Sequence, residues 1–68
     1  MNAQQKHEER KTRFLKVYVG LPINIRKDII LYIENIGPIT WDVAYLEIIG
    51  NTKLSMKILE KLDELSII

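Results

Sequence analysis

The apolar positions of this chain fall into blocks separated by glycine and proline. The clearest block is the last. Leu54, Ile58, Leu62 and Leu65 recur at i, i+4, i+8 and i+11, with Leu59 at the edge of the same face, which is one stripe of an amphipathic helix. Asn51 or Thr52 caps this helix, and it runs to about Leu65. Trp41 to Ile49 reads as a shorter helix that Gly50 ends. Thr40 is its N-cap, and Asp42 sits at the positive end of its dipole. Ile25, Ile29, Ile33 and Ile36 form another stripe at helical spacing, so a helix is predicted from about Ile25 to Asn35, capped by Asn24. Gly37 and Pro38 stop it, because glycine tolerates the left-handed position and proline cannot continue a helix.

Upstream the pattern is ambiguous. Leu15, Val17, Val19 and Leu21 alternate with Lys16, Tyr18 and Gly20, a period of two that predicts a strand. The alternative is a helix that runs from the tail through about Val19 and stops at Gly20 and Pro22. Residues 1–13 are polar, without apolar periodicity, and read as a frayed helix or a disordered tail. Ser66, Ile67 and Ile68 can begin a strand. The expected fold is all-α or mainly α: a three-helix core carrying a helix-turn-helix over residues 14–68, a basic arm at 1–13, and a possible short strand.

Composition narrows the chemistry. The 68 residues suffice for one small domain. There is no cysteine and one histidine, so disulfides, thiolate metal sites and a zinc site built from His7 are excluded. A catalytic Ser–His–acid set cannot be assembled with His7 in the tail. Gly20, Gly37 and Gly50 each stand at an element end rather than in a phosphate-binding loop, and Glu60 with Glu64 is an exposed pair rather than a buried acid–base dyad. No enzyme, cofactor or small-molecule substrate is expected. No apolar run approaches the roughly 20 residues that span a membrane, and Met1 to Arg13 lacks the apolar segment of a signal peptide. The expected location is the cytoplasm, with no membrane partner.

The net charge of +1 hides an asymmetry. Residues 1–27 hold seven Lys/Arg against two Glu, and residues 28–68 hold three Lys against seven Asp/Glu. This is a basic arm on a mildly acidic body.

The order of these features resembles the winged helix-turn-helix family. The residues that carry the likeness are Gly37-Pro38-Ile39-Thr40 between the first two helices and Lys61-Leu62-Asp63-Glu64-Leu65 at the end of the third. It covers residues 25–68. The chain departs from the family's pattern where the two-stranded wing would follow, because Ile68 is its last residue. The resemblance implies a dimeric DNA-binding protein, a possible transcriptional regulator. Other members of the family have lost DNA binding and serve as protein-interaction modules.

A DNA reader of this kind would place the start of its last helix in the major groove. Lys53, Lys57 and Lys61 form one row opposite the apolar stripe. Thr52 and Ser55 lie near the helix start, and Met56 points outward. Lysine suits phosphates better than base edges. Glu60, Asp63 and Glu64 offset the row, which reads equally as an ordinary solvated face. Lys6, Arg10, Lys11 and Arg13 of the arm are the second candidates for duplex DNA, against a plain solubilising role.

The helix at Trp41–Ile49 is apolar nearly all round, and such a helix is normally buried on more than one side. Leu31 likewise points away from the Ile25–Ile29–Ile33 stripe of the helix expected before it, so Leu31, Trp41, Tyr45, Leu46 and Ile49 are expected at an interface, with a second copy of the chain or with a larger protein assembly. The alternative is that Phe14, Leu15, Val17 and Val19 cover them within one chain.

Overall fold

The computed structural model describes residues 3–68, with side chains from residue 5; the first two residues of the predicted arm lie outside it. The described residues form a mainly helical fold with a small two-stranded antiparallel sheet. Helix α1 spans Ala3–Val19, a 3-10 turn covers Ile25–Lys27, and strands β1 and β2 span Ile29–Ile33 and Gly37–Thr40. Helices α2 and α3 follow at Trp41–Ile49 and Lys53–Glu64.

Residues 14–19 are helical, so of the two readings open there the helix ending at about Val19 is the one the structure shows, and the strand is not formed. The alternation of Leu15, Val17 and Val19 is not what burial follows. Phe14 is fully buried and Val19 is 70% exposed, whereas a strand turning Leu15 and Val17 inward would bury Val19 and expose Phe14. Phe14 and Tyr18 are four residues apart, one helical turn, and their rings stack at 5.9 Å. The helix carries on unbroken across residue 13, so the described part of the predicted arm is the first half of α1.

The helix expected at Ile25–Asn35 is also overturned. Only Ile25–Lys27 is helical, as a single tight turn, and the rest is strand and hairpin. Five consecutive uncharged residues, Ile29 to Ile33, have the β-branched and aromatic character that suits a pleated surface. Leu31 and Ile33 face the core, while Tyr32 between them is exposed. The chain reverses at Glu34–Ile36, where the Ile36 N–H donates to the Ile33 carbonyl at 3.0 Å. Asn35 and Gly37 take φ values of 70° and 110°, conformations that asparagine tolerates and glycine adopts freely.

The register pairs Leu31 with Ile39, Tyr32 with Pro38 and Ile33 with Gly37, with an irregularity between Ile29 and Leu31. The Trp41 N–H donates to the Asp28 carbonyl. Because N–H groups alternate in direction along a strand, Ile39 and Gly37 also face β1, and Pro38 and Thr40 face away.

The two C-terminal helices stand where the sequence places them. Thr40 caps α2 by accepting from the Val43 N–H at 3.1 Å, and Thr52 caps α3 by accepting from the Ser55 N–H at 3.2 Å. The turn between them differs in one detail. Gly50 keeps right-handed geometry, and Asn51 takes the left-handed position at φ 52°. The Thr52 N–H then donates to the Glu47 carbonyl and the Asn51 N–H to that of Ile48, the double closure of a Schellman motif. Thr52 therefore closes α2 and opens α3, which fixes the angle between them. A second Schellman closure ends α3: Ser66 sits at φ 59° and the Ile67 N–H reaches the Leu62 carbonyl. The tail is thus a helix cap rather than the start of a strand, and Ile67 and Ile68 pack on the core.

That core joins the three α-helices and the sheet. Phe14 from α1, Leu31, Ile33 and Ile39 from the sheet, Trp41, Ala44 and Ile48 from α2, and Ile58, Leu59 and Leu62 from α3 form one buried cluster. No described helix is long and apolar enough to cross a membrane.

Candidate nucleic-acid interface

Burying Ile58, Leu59 and Leu62 turns the opposite side of α3 outward. Lys53, Met56, Lys57, Glu60, Lys61 and Glu64 are all exposed there. Ser55 is not. It is 1% exposed, and its hydroxyl donates to the Thr52 carbonyl at 2.6 Å, so it is withdrawn from the contact surface. Thr52 spends its hydroxyl oxygen on the cap and lies within hydrogen-bonding distance of the Glu47 carboxylate at 3.2 Å. Lys61 pairs with Glu64 at 3.7 Å in an exposed contact, the kind that adds little stability.

The basic residues of α1 lie beside this surface rather than trailing free. Lys11 Nζ donates to Asn51 Oδ1 at 3.2 Å, next to the start of α3. Arg10 Nε donates to Asp63 Oδ2 at 2.9 Å, and Arg13 approaches the same carboxylate at 3.4 Å. Arg13 also donates to the Ile68 carbonyl at 3.4 Å. The hydrogen bond from Arg10 is the largest effect and, helped by Arg13, holds the Asp63 carboxyl below its ordinary range against the opposing pull of desolvation. Lys6, His7 and Arg10 line a cleft of about 270 Å³ with Met56 and Glu60. Two arginines of the arm are thus tied to α3, while Lys6 and Lys11 flank its outward side.

On its other side α3 meets the hairpin. A second cleft of about 530 Å³ is lined by Tyr32 to Asn35 and by Lys57, Glu60, Lys61 and Glu64. It holds three carboxylates against two lysines. The outward ridge of α3 therefore has a cationic flank toward α1 and an acidic flank toward the hairpin.

The residues expected at an interface divide. Leu31 and Trp41 are each only 8% exposed and belong to the core. Leu31 was placed outside by the helical stripe; in a strand it shares the inward face with Ile33. Trp41 lies 5.8 Å from the Phe14 ring. Tyr45 is half-buried and stacks on Tyr18 at 4.4 Å. Leu46 and Ile49 are exposed, and Val43 joins them. These three share one uncharged face of α2. The neighbouring acids are used inside the chain: Asp42 accepts from the Tyr18 hydroxyl at 2.8 Å, and Glu47 faces Thr52.

Sequence reasoning missed three participants. His7 was set aside as a tail residue, although its spacing from Lys6 and Arg10 gives one helical face once 3–19 is read as helix. Asp63 was read as a flanking charge and is instead the anchor of α1. Tyr18 was assigned no role. It lies under Arg26, whose guanidinium sits 4.4 Å from the ring centroid, a cation–π contact. Its bond to Asp42, then desolvation, raise its pKa above the ordinary tyrosine value. No protein-family model matches the chain, and neither a curated protein nor a solved structure matches it.

Proposed function

We propose that the chain is a small duplex-DNA-binding protein, a regulator of transcription, that lays the outward ridge of α3 in the major groove and sets α1 against the phosphates. The observation that carries this reading is the juxtaposition of two basic elements: Lys11 is bonded at the start of α3, and Lys6 and Arg10 share a cleft with Met56 on the ridge. Phosphate contacts position a reader and base contacts specify it. With no arginine on the ridge, this one positions strongly and specifies weakly. The likeness to winged helix-turn-helix proteins, drawn over residues 25–68, supports the reading through α2 and α3; before them a hairpin, with Gly37–Thr40 as its second strand, takes the place of the expected helix and joint.

Fluorescence anisotropy of a labelled duplex tests it. Four phosphate contacts, from Lys6, Lys11, Lys53 and Lys57, would weaken binding on the order of a hundredfold between 50 and 200 mM salt. Replacing Lys53 and Lys57 by Glu should abolish binding while leaving the circular dichroism spectrum intact. Absence of duplex binding at low salt overturns the proposal.

A second reading, a protein-interaction module, is favoured by the uncharged face of Val43, Leu46 and Ile49. The three side chains are themselves uncharged, and the carboxylates beside them, Asp42 and Glu47, bond within the chain, so the apolar contact with a second copy is what would hold such a pair together. Sedimentation of the chain against its Leu46→Glu variant separates the outcomes: a dimer that the variant splits supports self-association, and a monomer at high concentration removes it.

A further inference from the structure

We propose that the cleft between α1 and α3 is a seat for one phosphodiester group of the DNA backbone, held by Lys6, His7 and the terminal amino groups of Arg10. The inference rests on the DNA-binding reading and adds a defined position and a ligand class to it. Lys6, His7 and Arg10 follow one another at i, i+1 and i+4 along α1, and the structure gathers all three in a cleft of about 270 Å³ closed on the α3 side by Met56 and Glu60. Arg10 is not loose there. Its Nε is bonded to Asp63 at 2.9 Å and its side chain is only 16% exposed, so the guanidinium is held in one place. Its two Nη groups lie outside that bond. A fixed guanidinium beside a flexible ammonium suits a tetrahedral oxyanion.

The charge of the cleft sets the class of phosphate. Lys6, Arg10 and the adjoining Arg13 bring three positive charges, and the carboxylates of Glu60 and of Asp63, which both arginines share, remove two. What remains matches the single negative charge of a phosphodiester. A phosphate monoester carries more than that at neutral pH, and Glu60 would repel the excess. The acidic flank on the hairpin side, with Glu34, Glu60 and Glu64 against Lys57 and Lys61, offers no comparable seat. The backbone that borders the groove is therefore gripped on the α1 side of the ridge.

Two built-in reporters make the test direct. His7 is the only histidine, and Met56 is one of two methionines. In proton NMR of the full chain, a short duplex should shift the His7 ring signals and the Met56 methyl signal, and inorganic phosphate at the same ionic strength should shift them far less. In anisotropy titrations, Lys6→Gln should reduce the slope of log affinity against log salt by about 0.9. The loss of affinity between 50 and 200 mM salt would then be about 3.5-fold smaller than for the unaltered chain. Lys27→Gln, in the turn remote from α3, should leave the slope unchanged.

If the duplex binds while His7 and Met56 stay unmoved, or if Lys6→Gln behaves like Lys27→Gln, the seat is overturned and the DNA reading stands. Equal shifts from inorganic phosphate overturn the diester assignment. If the unaltered chain fails to bind duplex at low salt, both fall together.

Discussion

Substituting Phe14 tests whether α1 is part of the domain or an arm attached to it. The side chain is fully buried, with its ring 5.8 Å from Trp41 and 5.9 Å from Tyr18. Truncating a buried phenylalanine to alanine costs about 3–5 kcal/mol, and two ring contacts, each worth about 0.5–1.5 kcal/mol beyond their area, favour the upper half of that range. A chain of this size has about 3–10 kcal/mol of stability in all. Phe14→Ala should therefore leave the protein partly or wholly unfolded. Phe14→Leu keeps most of the volume and should cost about 1–1.5 kcal/mol. Urea unfolding followed by the fluorescence of Trp41, the single tryptophan, measures both. With a slope near 1 kcal/mol per molar urea, Phe14→Leu should lower the midpoint by about 1 M. Val19→Ala, at an exposed position, should stay within about 0.5 kcal/mol of the unaltered chain. An unchanged midpoint for Phe14→Leu, or a larger effect at Val19, would refute the docking of α1. The basic flank of α3 would go with it.

Three further outcomes are expected. Thr52→Ala removes the cap of α3 and the hydroxyl that faces Glu47, and should cost about 1–2 kcal/mol in thermal or urea unfolding; Thr12→Ala, exposed on α1, should cost less than about 0.5 kcal/mol. Gly37→Ala should cost about 1–3 kcal/mol from backbone strain alone, because φ is 110° while an added Cβ would meet nothing within 4 Å. The pH profile of stability should fall at both ends for identifiable reasons. Asp63 has a lowered pKa, so its contribution is present above the unfolded carboxylate value of about 3.9 and is lost as pH falls below it; Asp63→Asn should flatten that acid limb. Tyr18 has a raised pKa, so its contribution is present below about pH 10 and is lost as pH rises beyond; Tyr18→Phe should flatten the alkaline limb.

The helix-turn-helix was legible because its signals are local. Thr40 and Thr52 are capping residues at the correct places, and Leu59 and Leu65, at odd spacings from Leu54, Ile58 and Leu62, share one face with them in a helix and not in a strand. The segment before it was not legible. Ile29 and Ile33 are four residues apart, which places them on one face of a helix and also on one face of a strand. The deciding information was the filled run between them, since a helix would have turned Leu31 outward and a strand turns it in. At residues 14–21 strand and helix were both open, and the pattern alone favoured neither decisively. Leu15, Val17 and Val19 alternate, but Phe14 and Tyr18 needed Trp41 and Tyr45 to pack against, and those partners lie more than 20 residues on. The candidate site followed the same rule. The lysines of α3 could be placed from the helix alone, while the cleft with His7 depends on Asp63 gripping α1 from across the fold.

The outward-facing nitrogen of Pro38 bears on how the protein behaves in crowded solution. A sheet of two strands has two open edges, and an open edge is a template on which further chains can polymerise. The proline has no N–H to give an incoming strand, so the β2 side cannot lead a growing fibre through that position. On the β1 side, Tyr32 and Ile33 share a cleft with the charged residues Lys57, Glu60, Lys61 and Glu64 of α3. Ile29 to Ile33 would be a sticky segment in an unfolded chain. In the folded one the β2 edge beside it is blunted at Pro38, and Pro38→Val should raise the tendency of concentrated protein to gel.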